Sequence, residues 1–151
     1  MKLLIFIFCM LMTSCTPSNQ QADPQVLVDT DMAFSALCEA KGMKAAFLHY
    51  ADQDVVKLQE KRFPVWGIEE MRSAFNKFDD QVFTITWEPL KAEIAGSGDL
   101  GYTVGNWKLV TAEGQVKYGN YVSIWKKQAN GDWKYVLDAG TDTPGRFKPK
   151  S

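Results

Sequence analysis

The chain carries few side chains whose type and spacing could do chemistry. Asp138 closes the run Trp133-Lys134-Tyr135-Val136-Leu137, and a carboxylate on an apolar strand face has its pKa raised and can serve as base or acid. At a solvated strand end the same group would only bond backbone or water, and both readings are open on the residues alone. His49 is the single histidine, so neither a histidine-centred triad with a spare nor a multi-histidine metal site can be assembled, and no metal or cofactor is expected. Asp52, Asp54, Asp79 and Asp80 occupy turn positions, where Asp bonds its own backbone, and they lack the spacing of a calcium loop. Gly96-Ser97-Gly98 lies between two strand-like runs with no helix start after it, which makes it a hairpin rather than a phosphate loop. Cys38 stands four residues after Phe34 on an apolar helix face and reads as a small buried hydrophobe; Lys41 is the only nearby base that could lower its pKa.

Before any of these comes a segment outside the fold. Lys2 and the apolar residues 3–12 have the architecture of an export signal and are too short to span a bilayer as a helix. Met12-Thr13-Ser14-Cys15 resembles a bacterial lipobox, which implies lipidation of Cys15 and a place in the bacterial cell envelope, on the periplasmic side or at the outer membrane. An ordinary secretory signal that happens to contain a cysteine is the alternative. Residues 1–14 are thus expected to be a signal peptide and 15–23 a polar tether, followed by one domain over 24–140 and a polar tail over 141–151. With 17 basic and 18 acidic side chains and no basic stripe, the chain offers nothing to nucleic acid.

The domain opens with helices. Asp23-Pro24 is a helix start, Leu27, Thr30, Phe34, Leu37 and Lys41 keep a helical period, and Gly42 ends it. A second helix is expected over 44–50, a turn at Asp52-Gln53-Asp54, and a short strand over 55–58. Pro64 confines the extended run 63–66 to a sheet edge. Ile68, Met71, Phe75 and Phe78 mark an amphipathic helix, with Glu69 and Glu70 at its positive end. Four long strands follow, over 82–94, 100–111, 116–127 and 133–139, with a bulge or bend at Trp87-Glu88-Pro89 and turns at Ala112-Glu113-Gly114 and Asn130-Gly131.

Phe47-Leu48-His49-Tyr50-Ala51-Asp52, the Trp66-Gly67 entry to Ile68-Glu69-Glu70-Met71, Gly98-Asp99-Leu100-Gly101-Tyr102-Thr103-Val104-Gly105 and Asn130-Gly131-Asp132-Trp133 come in a distinctive order. Together they resemble the SnoaL-like and ketosteroid-isomerase-like part of the nuclear transport factor two-like superfamily. The resemblance implies an α+β, cystatin-like fold: a cone-shaped, curved antiparallel sheet wrapped around two to three N-terminal helices, with a pocket between them. It also places the isomerase's base, helical tyrosine and protonated sheet aspartate on Leu58, Phe34 and Ser123, none of which can perform those roles. Steroid isomerisation by that route is therefore excluded.

The same alignment turns Ser123 toward the pocket, and strand alternation then adds Tyr121, Trp125, Tyr102, Val104, Asn106, Val136 and Asp138. The ligand-binding set is expected to be Tyr102, Asn106, Tyr121, Ser123 and Asp138, around a small and mostly apolar molecule. The opposite face would carry Thr103, Trp107, Leu109, Val122, Ile124, Trp133, Tyr135 and Leu137, apolar enough to ask for a homodimer partner. A SnoaL-like cyclase, isomerase or hydrolase using Asp138 is the enzymatic alternative. An envelope protein-interaction module meeting its partner through Trp107 and Trp133 is a third.

Overall fold

A computed structural model of the chain describes residues 22–77 and 82–149. The expected export signal, Cys15, Phe78, Asp79 and Asp80 lie outside the described residues. Helices α1 (Gln25–Lys41) and α2 (Met43–Tyr50) are followed by strands β1 (Ala51–Lys57) and β2 (Val65–Trp66) and by helix α3 (Gly67–Phe75). Strands β3 (Phe83–Ile94), β4 (Leu100–Thr111), β5 (Val116–Lys127) and β6 (Trp133–Thr143) complete one sheet of order β2-β1-β6-β5-β4-β3. The sheet is mixed: β1 runs parallel to β6, whereas an all-antiparallel sheet was expected, and every other pair is antiparallel. β2 at one edge and β3 at the other leave it unclosed.

Local chemistry accounts for the boundaries. The Asp23 carboxylate accepts from the Gln25 backbone N–H at 2.9 Å, and Gly42, at φ +85°, separates α1 from α2 because only glycine takes that conformation without strain. Asp52, Gln53 and Asp54 do not form the expected turn. They are absorbed into β1, whose register against β6 shifts between Ala51 and Val56. Of the Asn130-Gly131 pair only Gly131 has a positive φ, +92°; the Asn130 side chain instead accepts from the Asp132 N–H at 3.1 Å. β6 continues four residues past the expected end at Ala139, because Thr141, Asp142 and Thr143 keep pairing with β5.

The core lies between α1 and the inner face of the sheet. Phe34 is its hub, with ring centroids 4.6 Å from Trp87, 4.8 Å from Phe47, 5.5 Å from Tyr135 and 6.2 Å from Trp125. Fully burying a side chain of this size stabilises the fold by about 1.5–3 kcal/mol, and edge-to-face ring pairs add about 0.5–1.5 kcal/mol each.

Two features of strand pairing decide which residues face that core. Thr103 pairs with Ser123, Gly101 with Trp125 and Gly105 with Tyr121, and directly opposed residues share a face. On β4 the inward set is therefore Gly101, Thr103, Gly105 and Trp107, the reverse of the expected phase. On β6 the register slips so that Ile124 faces Leu137 while Trp125 faces Tyr135, which leaves Val136 as an extra residue. Tyr135 and Asp138 consequently both point inward, although strict alternation puts them on opposite faces.

Candidate functional site

Asp138 sits where β1, β6 and β5 lie side by side. It pairs with Ser123 on β5 and with Lys57 on β1, and its side chain bonds both: Lys57 Nζ forms an ion pair with Oδ1, and Ser123 Oγ donates to Oδ2 at 2.8 Å. The Lys57 and Asp138 side chains are only 12% and 9% exposed, so each charge depends on the other. Lys57 also lies over the Phe47 ring, 4.4 Å from its centroid.

These three residues line an inner chamber of about 100 Å³ whose remaining wall includes Phe34, Phe47, Ile85, Trp87 and Tyr121. A larger vestibule of about 380 Å³ lies beside it, lined by Leu58, Arg62, Val65, Met71 and Phe75 among others. Met43, Lys57, Trp107 and Gly140 line both cavities, so the two meet at the ion pair. The vestibule is within the size range of small-molecule sites. Trp107, part of its wall, lies flat against Gly119, where a Cβ would overlap the ring.

A second polar cluster lies deeper, on α1. Asp31 is fully buried, and its carboxylate accepts from Trp87 Nε1 at 2.7 Å and from the Tyr121 hydroxyl at 2.7 Å. The Thr103 hydroxyl, which itself accepts from Trp125 Nε1 at 2.9 Å, also bonds Asp31. Burial pushes the Asp31 carboxyl above its ordinary value, against the lowering effect of these donors. Burial, reinforced by the Asp31 charge, likewise drives the Tyr121 phenol far above the usual range. The Tyr121 ring reaches α1 across Gly105, where any Cβ would strike it.

Of the residues expected to bind ligand, the structure brings together Tyr121, Ser123 and Asp138. It does not bring Tyr102 or Asn106 to them. Tyr102 pairs with Ile124 on the outer face, beside Lys91 and Glu93. Asn106 is buried on that same outer side, where its Nδ2 donates to the Phe147 carbonyl at 2.8 Å and its Oδ1 accepts from Asn120. The tail is thus a cover: besides the Phe147 contact, Arg146 pairs with Glu88. Val104 is 37% exposed and Val136 half-buried, neither in the chamber. Trp107, Trp133, Tyr135 and Thr103, expected on the outer face, turn inward instead.

Lys57, Arg62 and Asp31 escaped the sequence reading. Asp31 had a readable signal, since Leu27, Asp31, Phe34 and Cys38 are spaced four, three and four apart, and a charged residue on an apolar stripe requires partners. Leu58, aligned with the isomerase base, lines the vestibule and is 40% exposed; Phe34 is core.

Comparison with solved structures places this architecture. The fold is the cystatin-like, NTF2-like one. A ketosteroid isomerase-like protein from Erwinia carotovora atroseptica matches with a TM-score of 0.65 at 13% identity, over 82% of this chain and all (100%) of that one. An NTF2-like protein with a cystatin-like fold from Novosphingobium aromaticivorans matches at 0.66 and 10% identity, over 82% of this chain and 83% of that one. The CaMKII hub of S. rosetta matches at 0.63 and 15% identity, over 81% of this chain and 98% of that one. No family model and no curated protein matches the chain. At such identities the likeness concerns architecture, and function must come from the site.

Proposed function

We propose that the chain is an exported, lipid-anchored binding domain that takes a small, mostly apolar molecule into its cone. The observation that carries this reading is the meeting of chamber and vestibule at Lys57, Asp138 and Ser123, polar groups set into a wall of rings and methyls. We assign no catalytic step. Both oxygens of Asp138 hold partners, one a cation, which gives the carboxylate a structural role as it stands. Tyr121 is likewise committed to Asp31.

Native mass spectrometry of the protein from its own host, compared with the denatured spectrum, tests this reading. A discrete additional mass that dissociates on unfolding and is lost in a Trp107→Ala variant is expected; an unloaded protein to which no apolar probe binds would contradict it. Turnover of any such ligand that Asp138→Asn abolishes would replace binding with catalysis.

The anchor belongs to the same proposal. A lipidated Cys15 requires that the mature chain begin there with acyl chains, which intact-mass measurement reads directly, and Cys15→Ser abolishes. Ala22 lies against the Gly98 turn, 3.9 Å from where a Cβ would be. Trp107 at the cavity is seven residues further along the strand from Leu100, about 23 Å away. Ala22, the first described residue, therefore lies at the end of the cone opposite the mouth.

Self-association through the outer face completes the reading, with a smaller patch than the sequence suggested. Val104, Val122, Ile124 and Leu137 are its apolar residues, and Trp107 and Trp133 are not available to it. Light scattering is expected to give twice the protomer mass, and Ile124→Lys to halve it; a clean monomer would remove this part.

A further inference from the structure

Within the binding reading, on which this inference rests, the charges of the cavity select the ligand's head group. Each oxygen of Asp138 holds a partner, one Lys57 and the other Ser123. An ammonium has three donors, and Lys57 uses one of them on Asp138 among the described residues. Because Lys57 lines both chamber and vestibule, its remaining donors are the ones a ligand meets at the junction. The ion pair itself is neutral. A second cation, Arg62, lines the vestibule and makes no ion pair among the described residues. Among the described residues no carboxylate other than Asp138 lines either cavity, so their described lining carries one uncompensated positive charge.

We propose that the site selects amphipathic monocarboxylates: an apolar body of one ring or a short chain against the Phe34, Phe47 and Trp107 side, and a carboxylate held between Lys57 Nζ and the Arg62 guanidinium. Neither cation suffices alone. Lys57 already shares its charge with Asp138, which repels a second carboxylate, and Arg62 offsets that repulsion while offering the planar donor fork that suits a carboxylate. A neutral molecule with the same body gains only the apolar wall.

The test uses 3-phenylpropionate and 3-phenyl-1-propanol, which share a body and differ in charge, titrated calorimetrically into the full chain. The acid is expected to bind at least tenfold more tightly than the alcohol. Arg62→Gln, in an exposed loop where folding is not at stake, is expected to bring the acid down to the alcohol's affinity and leave the alcohol unchanged, while Arg62→Lys keeps part of the preference. Equal affinities, or a preference for the alcohol, would overturn the carboxylate selection and leave the binding reading intact. An acid preference unmoved by Arg62→Gln would overturn the assigned head-group site. Binding of neither probe would overturn both the inference and the reading beneath it.

Discussion

Two buried carboxylates in this molecule stand in opposite electrostatic circumstances. Asp31 is surrounded by neutral donors, an indole N–H, a phenol and a threonine hydroxyl, and lines neither cavity at the mouth of the cone. Asp138 is paired with a cation and a serine and itself lines the chamber with both of them, whereas of the Asp31 cluster only the partners Trp87 and Tyr121 reach that wall. The first ties α1 to the inner face of the sheet and holds Trp87 and Tyr121 in place; the second fixes a charge in a cavity wall. Burial alone therefore does not mark a functional group. What differs is whether a partner keeps bonding capacity facing open space.

Removing partners one at a time breaks this contrast. The largest expected loss follows Lys57→Met, which leaves Asp138 buried without its cation and costs about 3–5 kcal/mol in chemical denaturation. The double variant Lys57→Met/Asp138→Leu recovers most of it, because no unpaired charge remains. Asp31→Ala strands three buried donors and costs about 3 kcal/mol, with no double replacement by a single apolar partner able to restore it. Gly119→Ala drives a methyl into the Trp107 ring and costs about 1–3 kcal/mol, while altering tryptophan emission from the cavity wall.

The pH dependence sharpens the comparison by a smaller margin. The folded Asp31 carboxyl titrates above its unfolded value of 3.8, so in the interval between the two the native state holds more protons than the unfolded one. Stability from this group is complete below pH 3.8 and declines as pH rises through the folded pKa. Asp31→Asn should remove that decline. Unfolding free energies of the two proteins from pH 3.5 upward are expected to converge as the native protein loses its advantage, and parallel curves would show that Asp31 is not the group responsible.

Much of the fold was legible because strand runs, turn glycines and the amphipathic α3 carry local signals. The order of elements, the edge position of Val65–Trp66 and the hairpins came from such signals. The faces did not. Deciding the phase of β4 requires knowing that Thr103 pairs with Ser123, and a pairing is a long-range fact that no local period contains. On β6 the extra residue Val136 breaks the alternation that linked Asp138 to its neighbours, so Asp138 was placed inward correctly while Tyr135 was placed outward. Tyr102 and Asn106 followed the inverted phase onto the wrong side. Lys57 was invisible for another reason: a lysine at the end of a short strand reads as solvated, and only the parallel β1–β6 pairing sets it against Asp138. The same pairing is what the all-antiparallel expectation lacked.

The five tryptophans supply the most direct test of the central claim, that ligand enters at Lys57 and Asp138 while the Asp31 cluster is scaffold. Trp107 lines the vestibule and chamber, Trp87 is tied to Asp31, Trp125 is tied to Thr103, Trp133 is buried away from both, and Trp66 is 64% exposed. In a nitrogen-15 spectrum of indole N–H groups titrated with 3-phenylpropionate, the Trp107 signal should move most and Trp87 less, with Trp125, Trp133 and Trp66 unmoved. Movement of Trp66 or Trp133 with Trp107 fixed would place the ligand outside the cone and contradict the account.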